Sequence, residues 1–197
     1  MIITIGRQHG SSGREIARTL AAELGYACYD KEIVDHAAAE SDFSKEIFDS
    51  YDEKRVSPYI VSTPHYMSMH DGLRLNMQVA SAQFDTIRAI ADKDNCIIVG
   101  RCADYILRNR ENLVKVFIMA DRDWRIRELA QRKGITEAQA KKLLKEVDKD
   151  RSSYYKYYTD QVWGEAENYN LCVDSGSLGV AGTVQVIRAY LDAVQKK

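Results

Sequence analysis

Between an apolar run and a segment of helical period lies the loop Gly6-Arg7-Gln8-His9-Gly10-Ser11-Ser12-Gly13-Arg14-Glu15. Its small residues let successive backbone N–H groups turn inward. A helix that starts there adds a partial positive charge of about half an elementary unit. The natural occupant is an anion, above all a phosphate. Arg14 can neutralise and orient phosphate oxygens as a planar fork. His9 can donate to a phosphate oxygen or stack on a base, although a loop histidine is often incidental.

The strict phosphate-loop pattern is G-x-x-x-x-G-K-[ST]. Alignment on Gly13 sets Gln8 at the first glycine, Arg14 at the lysine and Glu15 at the hydroxyl, so three signature positions differ. Glu15 puts a carboxylate where a hydroxyl ordinarily helps to hold Mg²⁺, and it either binds metal directly or points elsewhere. A Gly/Ser turn that only connects strand and helix is the alternative reading.

The elements around this loop follow from hydrophobic period. Residues 2–5 are a short β-rich apolar run, and Ile16, Ala17, Leu20, Ala21 and Leu24 recur at helical spacing until Gly25 ends the helix. A strand at Ala27–Tyr29 precedes a helix opening near Asp30. Residues 41–75 lose clean periodicity and carry Pro58, Pro64, His65, Met67, Met69, His70 and Gly72, which predicts a mobile, partly helical insertion. A long helix spans about 76–93, and strands follow at Cys96–Gly100 and Leu113–Ala120. Helices are expected at about 122–133 and 136–158, hinged at Gly134 with Thr136 as N-cap. The last strand, Leu171–Val173, leads into a helix over about 180–195. Strands alternating with helices predict a parallel sheet wrapped on both faces, with ligands beyond the carboxyl ends of the strands. Gly6–Gly13, Tyr29–Lys31, Arg101 and Asp121–Arg122 all fall on that edge.

The 197 residues, 45% of them apolar, suffice for one core. With 28 basic and 29 acidic residues the formal charge is -1, so no global field argues for nucleic acid or a membrane surface. Cys28, Cys96, Cys102 and Cys172 lie far apart and form neither a metal spacing nor a disulfide framework. His65 and His70 lack the carboxylates of a zinc site. The opening Met-Ile-Ile-Thr-Ile-Gly has no basic leader or long apolar run, so the expected location is cytoplasmic. Oligomeric state is left open.

The stretch Ile-Thr-Ile-Gly-Arg-Gln-His-Gly-Ser-Ser-Gly-Arg-Glu-Ile-Ala, then Tyr-Asp-Lys-Glu-Ile and Ile-Ile-Val-Gly-Arg-Cys-Ala-Asp-Tyr, resembles the bacterial cytidylate-kinase-like family nearly end to end. In that family a Gly-Ser-Ser-Gly-Arg-Glu type of loop is usual. The resemblance implies an α/β P-loop nucleotide-kinase fold in a single domain. Its core would be about 1–40 and 94–197, its acceptor-binding insertion about 41–93 and its helical lid about 122–160. It implies transfer of the γ-phosphoryl of ATP, with Mg²⁺, to CMP or dCMP. Such transfer chiefly needs positioning and cations around the migrating group.

By the same resemblance, His9, Gly10, Ser11, Ser12, Gly13, Arg14 and Glu15 hold the nucleotide phosphates, with Glu15 a candidate metal ligand. Arg101 matches the arginine that holds the acceptor phosphate. Asp30 and Lys31 occupy the place of an acceptor-binding Asp-Ser step, an N-cap aspartate and a solvated lysine being the alternative. The lid is expected to draw on Arg122, Arg125, Arg127 and Arg132, then Asp148 and Arg151 on the acceptor side; Arg122 and Arg125, at i and i+3, can reach one anion and join Arg14 as the catalytic set, with solvated arginines the alternative. In the Asp148–Tyr158 run, tyrosines stand where cytidylate kinases carry dense charge. That fits a different acceptor, a lid that shuts differently or a helix with aromatic anchors.

Two other functions compete. An ATP-binding regulatory protein would keep the cradle without turnover, as the changes at Arg14 and Glu15 would allow. A kinase for another small acceptor is equally compatible with the fold. A dinucleotide-binding oxidoreductase is disfavoured because the loop lacks Gly-x-Gly-x-x-Gly spacing.

Overall fold

The computed structural model describes residues 1–41, 43–56, 69–93 and 95–195, without the side chains of 69–72. Five strands, β1 (Ile2–Arg7), β2 (Ala27–Tyr29), β3 (Cys96–Val99), β4 (Leu113–Met119) and β5 (Leu171–Asp174), form one sheet in the order β2-β3-β1-β4-β5. Every pairing is parallel. The helices are α1 (Gly13–Leu24), α2 (Glu32–Ala39), α3 (Lys45–Tyr51), α4 (Met69–Lys93), α5 (Ala103–Ile106), α6 (Arg122–Lys133), α7 (Glu137–Thr159) and α8 (Ser175–Gln195).

Both faces of the sheet are covered, which is why β1 and β3 read as unbroken apolar runs. Ile3, Ile5, Ile97, Val116 and Ile118 pack with Ile16 and Leu20 of α1 and with Val184, Ile187 and Leu191 of α8. On the opposite face Ile2 and Ile98 meet Ile33 of α2, Ile87 of α4 and Leu107. Each such fully buried aliphatic side chain contributes about 1.5–3 kcal/mol of transfer free energy. This two-sided burial fixes β1 and therefore the loop at its carboxyl end.

Helix boundaries follow the expected signals where a cap exists. Gly25 and Gly134 end α1 and α6 in the left-handed region, and Thr136 with Gln139 forms a reciprocal capping box at the start of α7. Other boundaries differ. Helix α4 begins at Met69, before the expected 76, and α3 and the short α5 had no separate signal. Helix α8 begins at Ser175, and Gly179 (φ 64°) breaks it next to the expected start. Asp30 is not a helix cap: Lys31 occupies the N-cap position of α2, and the Asp30 amide donates to Glu32 Oε2 at 2.9 Å. The expectations for Pro58, Pro64, His65 and Met67, and for the side chains of Met69, His70 and Gly72, lie outside the described residues.

The tyrosine run of α7 is packed. Tyr154 and Tyr155 are buried against Cys102, and Tyr155 donates to Asp104 Oδ2 at 2.7 Å. The aromatic-anchor alternative therefore describes this part of α7, which rests on the sheet through the start of α5.

Candidate functional site

The loop after β1 is pinned to the sheet from several sides. The Gln8 amide donates to the Ile118 carbonyl at 3.0 Å, and Gln8 Oε1 accepts from the Ala120 amide at 3.1 Å. A glutamine at this position thus ties the loop to β4 through its side chain. The Ser11 hydroxyl donates to the Gln8 carbonyl at 2.8 Å, and the Ser175 hydroxyl donates to the Ser11 carbonyl at 2.8 Å. Ser12 takes a left-handed conformation (φ 54°) as the N-cap of α1. Close approach also fixes Gly13, where a Cβ would meet the Arg7 Cβ at 2.6 Å.

In this geometry the amides of Gly10, Ser12, Gly13, Arg14 and Glu15 find no backbone acceptor among the described residues. Five donors at a helix start make an anion cradle. The cleft over it, about 570 Å³, is lined by His9, Gly10, Ser12, Gly13, Arg14 and Glu15, and also by Arg18, Arg132 and Lys133. Burial, then Arg151, Arg132, Lys133 and Arg7, lower the pKa of His9 to about 3, so its ring stays neutral. A neutral imidazole offers one N–H to a phosphate without adding charge. Its Nε2 is buried and has no hydrogen-bond partner among the described residues.

Beside it lies a second cavity of about 210 Å³, lined by Arg7, Arg14, Asp30, Asp52, Glu53, Lys54, Arg101, Val147, Asp150 and Arg151. Arg7, Arg14 and Arg151 line both. Glu53 is the hub of the second cavity. Its Oε2 accepts from Arg7 Nη2 at 2.9 Å and Arg151 Nε at 3.1 Å, and its Oε1 accepts from Arg7 Nη1 and from the Arg101 amide at 3.0 Å. Burial alone would raise its pKa, but Arg7, Arg151 and Arg101 outweigh burial and hold the carboxyl well below its usual range. Asp52, bonded to Arg101 Nη2 at 2.6 Å, shifts the other way because burial dominates there. Burial followed by the Arg7 charge lowers Arg151 to about 10.

Asp30 is 2% exposed. Its carboxylate is ion-paired with Arg14, with Arg101 at 3.6 Å and with Arg7 at 3.9 Å, yet neither oxygen accepts a well-oriented hydrogen bond among the described residues. Two buried acceptors therefore sit in a cavity with unmet capacity. Arg101 itself is buried with a left-handed backbone (φ 53°), and its Nη1 donates to the Val99 carbonyl at 3.2 Å.

The residues singled out in the sequence divide accordingly. Arg14, Asp30, Arg101 and Arg151 converge on the second cavity. Lys31 is exposed and outside its lining. Arg122 and Arg125 do not act as a pair: Arg122 is exposed, while Arg125 is buried, donating to the Ala120 carbonyl at 3.0 Å, the His9 carbonyl at 3.1 Å and Asp148 Oδ2 at 2.6 Å. Asp148 also accepts from the His9 amide at 2.7 Å, so it supports the loop and is absent from the second cavity's lining. Arg7, Asp52 and Glu53 carried no sequence signal; the one clue was a cation directly after Gly6.

Among the described residues no group of three His, Cys, Asp or Glu side chains is placed to hold a metal ion. All four cysteines are free thiols. No helix among the described residues is long and apolar enough to cross a membrane.

A parallel sheet with the loop of β1 opening onto paired cavities defines the P-loop kinase fold. Among solved structures, shikimate kinase from Bacteroides thetaiotaomicron superposes with a TM-score of 0.58 at 12% identity, over 98% of each chain. Deoxyadenosine kinase from M. mycoides superposes with a TM-score of 0.51 at 15% identity, over 98% of this chain and 100% of that one. An uncharacterized protein from Eubacterium ventriosum is more similar, with 28% identity, a TM-score of 0.74 and 98% coverage of both chains. The cytidylate kinase-like family profile matches residues 2–177, and the chain belongs to that family. A comparison with curated proteins gave no match. Family and fold together support phosphoryl transfer as the general reaction.

Proposed function

We propose that the protein transfers the γ-phosphoryl of ATP to a nucleoside monophosphate, with CMP or dCMP as the acceptor. One observation carries the reading: Arg7, Arg14 and Arg151 line both the loop cleft and the neighbouring cavity. A phosphoryl group passing from one to the other meets fixed cations along its path, and cation positioning is the main demand of this chemistry.

In this reading the amides of Gly10 and Ser12–Glu15 hold the ATP phosphates, with Arg14, His9, Arg132 and Lys133 around them. Arg101 and Arg151 face the acceptor, and the Asp30 carboxylate, ion-paired but without a well-oriented hydrogen bond among the described residues, accepts from acceptor N–H or O–H groups. Asp148 and Arg125 hold the loop against α6 and α7. Residues 1–40 and 94–197 act as the core, 41–93 as the acceptor insertion and 122–160 as the lid. Glu15 lines the loop cleft, and no ion pair engages it among the described residues, so its carboxylate fits Mg²⁺ arriving on the nucleotide. The metal would supply charge neutralisation there.

The competing reading, an ATP-binding regulatory protein, is favoured by the ion pair that occupies Arg14 with Asp30. Purified protein given Mg-ATP and a panel of nucleoside monophosphates separates the two. ADP release that depends on CMP or dCMP supports transfer. Nucleotide binding without acceptor-dependent ADP release supports the regulatory reading.

A further inference from the structure

Four N–H donors from three separate places in the chain close around one carboxylate. Arg7 contributes both terminal nitrogens, Arg101 its backbone amide and Arg151 its Nε, and each oxygen of Glu53 receives two of them. Gly100 leaves the room, since a Cβ there would overlap both Glu53 Oε1 and Arg7 Nη1. Such a ring of charge-assisted donors suits any small oxyanion, phosphate included.

Glu53 is an unusual occupant. It follows α3 with a left-handed backbone (φ 52°), a conformation that costs a non-glycine residue energy. Phe48, with Ile47 and Tyr51, anchors α3 to Val34 and Ala37 of α2 and Val79 of α4, whereas Lys54 and Arg55 after Glu53 are exposed. Asp52 and Arg55 flank Glu53 and pair with Arg101 and Asp150, so residues 52–55 strap the segment to the turn after β3 and to α7 through ion pairs. Ion pairs of this kind exchange readily for pairs with a competing anion, unlike an apolar contact.

We infer that Glu53 is an internal stand-in for the acceptor's phosphate. The described form is then self-occupied, and a phosphate monoester binds by displacing the Glu53 carboxylate from Arg7, Arg101 and Arg151. The inference rests on the acceptor-site reading above, and it adds that acceptor binding is coupled to release of residues 52–55, which directly follow α3, from α7. An acceptor lacking a phosphate leaves the strap in place. Empty protein is thereby kept closed against small anions of low affinity.

Inorganic phosphate is the probe, with chloride at matched ionic strength as the control. Hydrogen exchange of the α3 amides in the wild-type protein should accelerate at least severalfold when phosphate saturates the site. Glu53→Gln should bind phosphate about tenfold tighter than wild type by calorimetry, with its α3 exchange no longer responsive. The wild-type arm decides the matter should the variant fail to fold. Phosphate binding that leaves wild-type α3 exchange unchanged, or no phosphate binding at all, overturns the inference. Expected exchange behaviour with no turnover on ATP and nucleotides would instead sink only the kinase reading.

Discussion

Arg125 Nη1 donates to Asp148 Oδ2 at 2.6 Å, joining α6 to α7, while the other oxygen of Asp148 takes the His9 amide of the phosphate loop. The pair is mostly buried, with side-chain exposures of 7% and 19%. Asp148→Ala leaves the Arg125 guanidinium buried without its counter-ion, and loss of one partner of such a pair costs about 3–5 kcal/mol. Urea unfolding of the variant should show that loss, and ATP affinity should fall because the loop amide is no longer held. A variant as stable as wild type would show that Arg125 re-pairs without cost.

His9 gives the protein a pH dependence of known sign. Its folded-state pKa is about 3 against 6.5 in a free chain, so between these values the unfolded chain takes up a proton that the folded one refuses. Stability from this residue is complete above pH 6.5 and falls as pH drops toward 3, by roughly 1.4 kcal/mol per pH unit. Buried carboxyls with raised pKa values, such as Asp52, act in the opposite direction. The difference between wild type and His9→Gln isolates the histidine. Unfolding free energies measured from pH 6.5 to 4.5 should diverge, the variant losing less; parallel curves would contradict the assignment.

At Gly100 the backbone has φ 79°, and a Cβ would overlap Glu53 and Arg7. Gly100→Ala should cost about 1–3 kcal/mol from conformation alone, and more from displacement of the ion cluster. Thermal unfolding reads the loss. Acceptor affinity should change more than ATP affinity, because the substitution strikes Glu53 and Arg7 in the second cavity and reaches the loop cleft only through Arg7.

What the sequence disclosed follows from how local each signal is. The apolar run into Gly6, the helical period from Ile16 to Leu24 and the caps at Gly25 and Thr136 depend on near neighbours in the chain, and all reappear in the structure. Arg101 and Arg151 were accessible through the family pattern. Glu53 was not, because it sits in a stretch without period and its partners Arg7 and Arg151 are 46 and 98 positions away. Arg125 shows the converse: helical spacing paired it with Arg122, whereas tertiary contacts turn it inward toward Asp148.

Arg14 is the cation of the loop that tolerates removal, since about half of its side chain is exposed. Arg14→Ala should therefore fold normally by circular dichroism and lose about 10²–10³-fold in kcat, the usual penalty for deleting one preorganised charge donor. Arg14→Lys should recover part of that loss, because the point charge returns without the planar fork. Equal activity in all three proteins would remove Arg14 from the transfer path.

Phosphoryl transfer from the loop cleft to the cavity beside it is what distinguishes a kinase from a nucleotide sensor here. Incubation of the protein with γ-labelled ATP, Mg²⁺ and CMP, followed by separation of the nucleotides, tests it directly. Label should appear in CDP, with the transfer abolished in Arg101→Ala. Label confined to ATP and inorganic phosphate, whatever the acceptor, would contradict it.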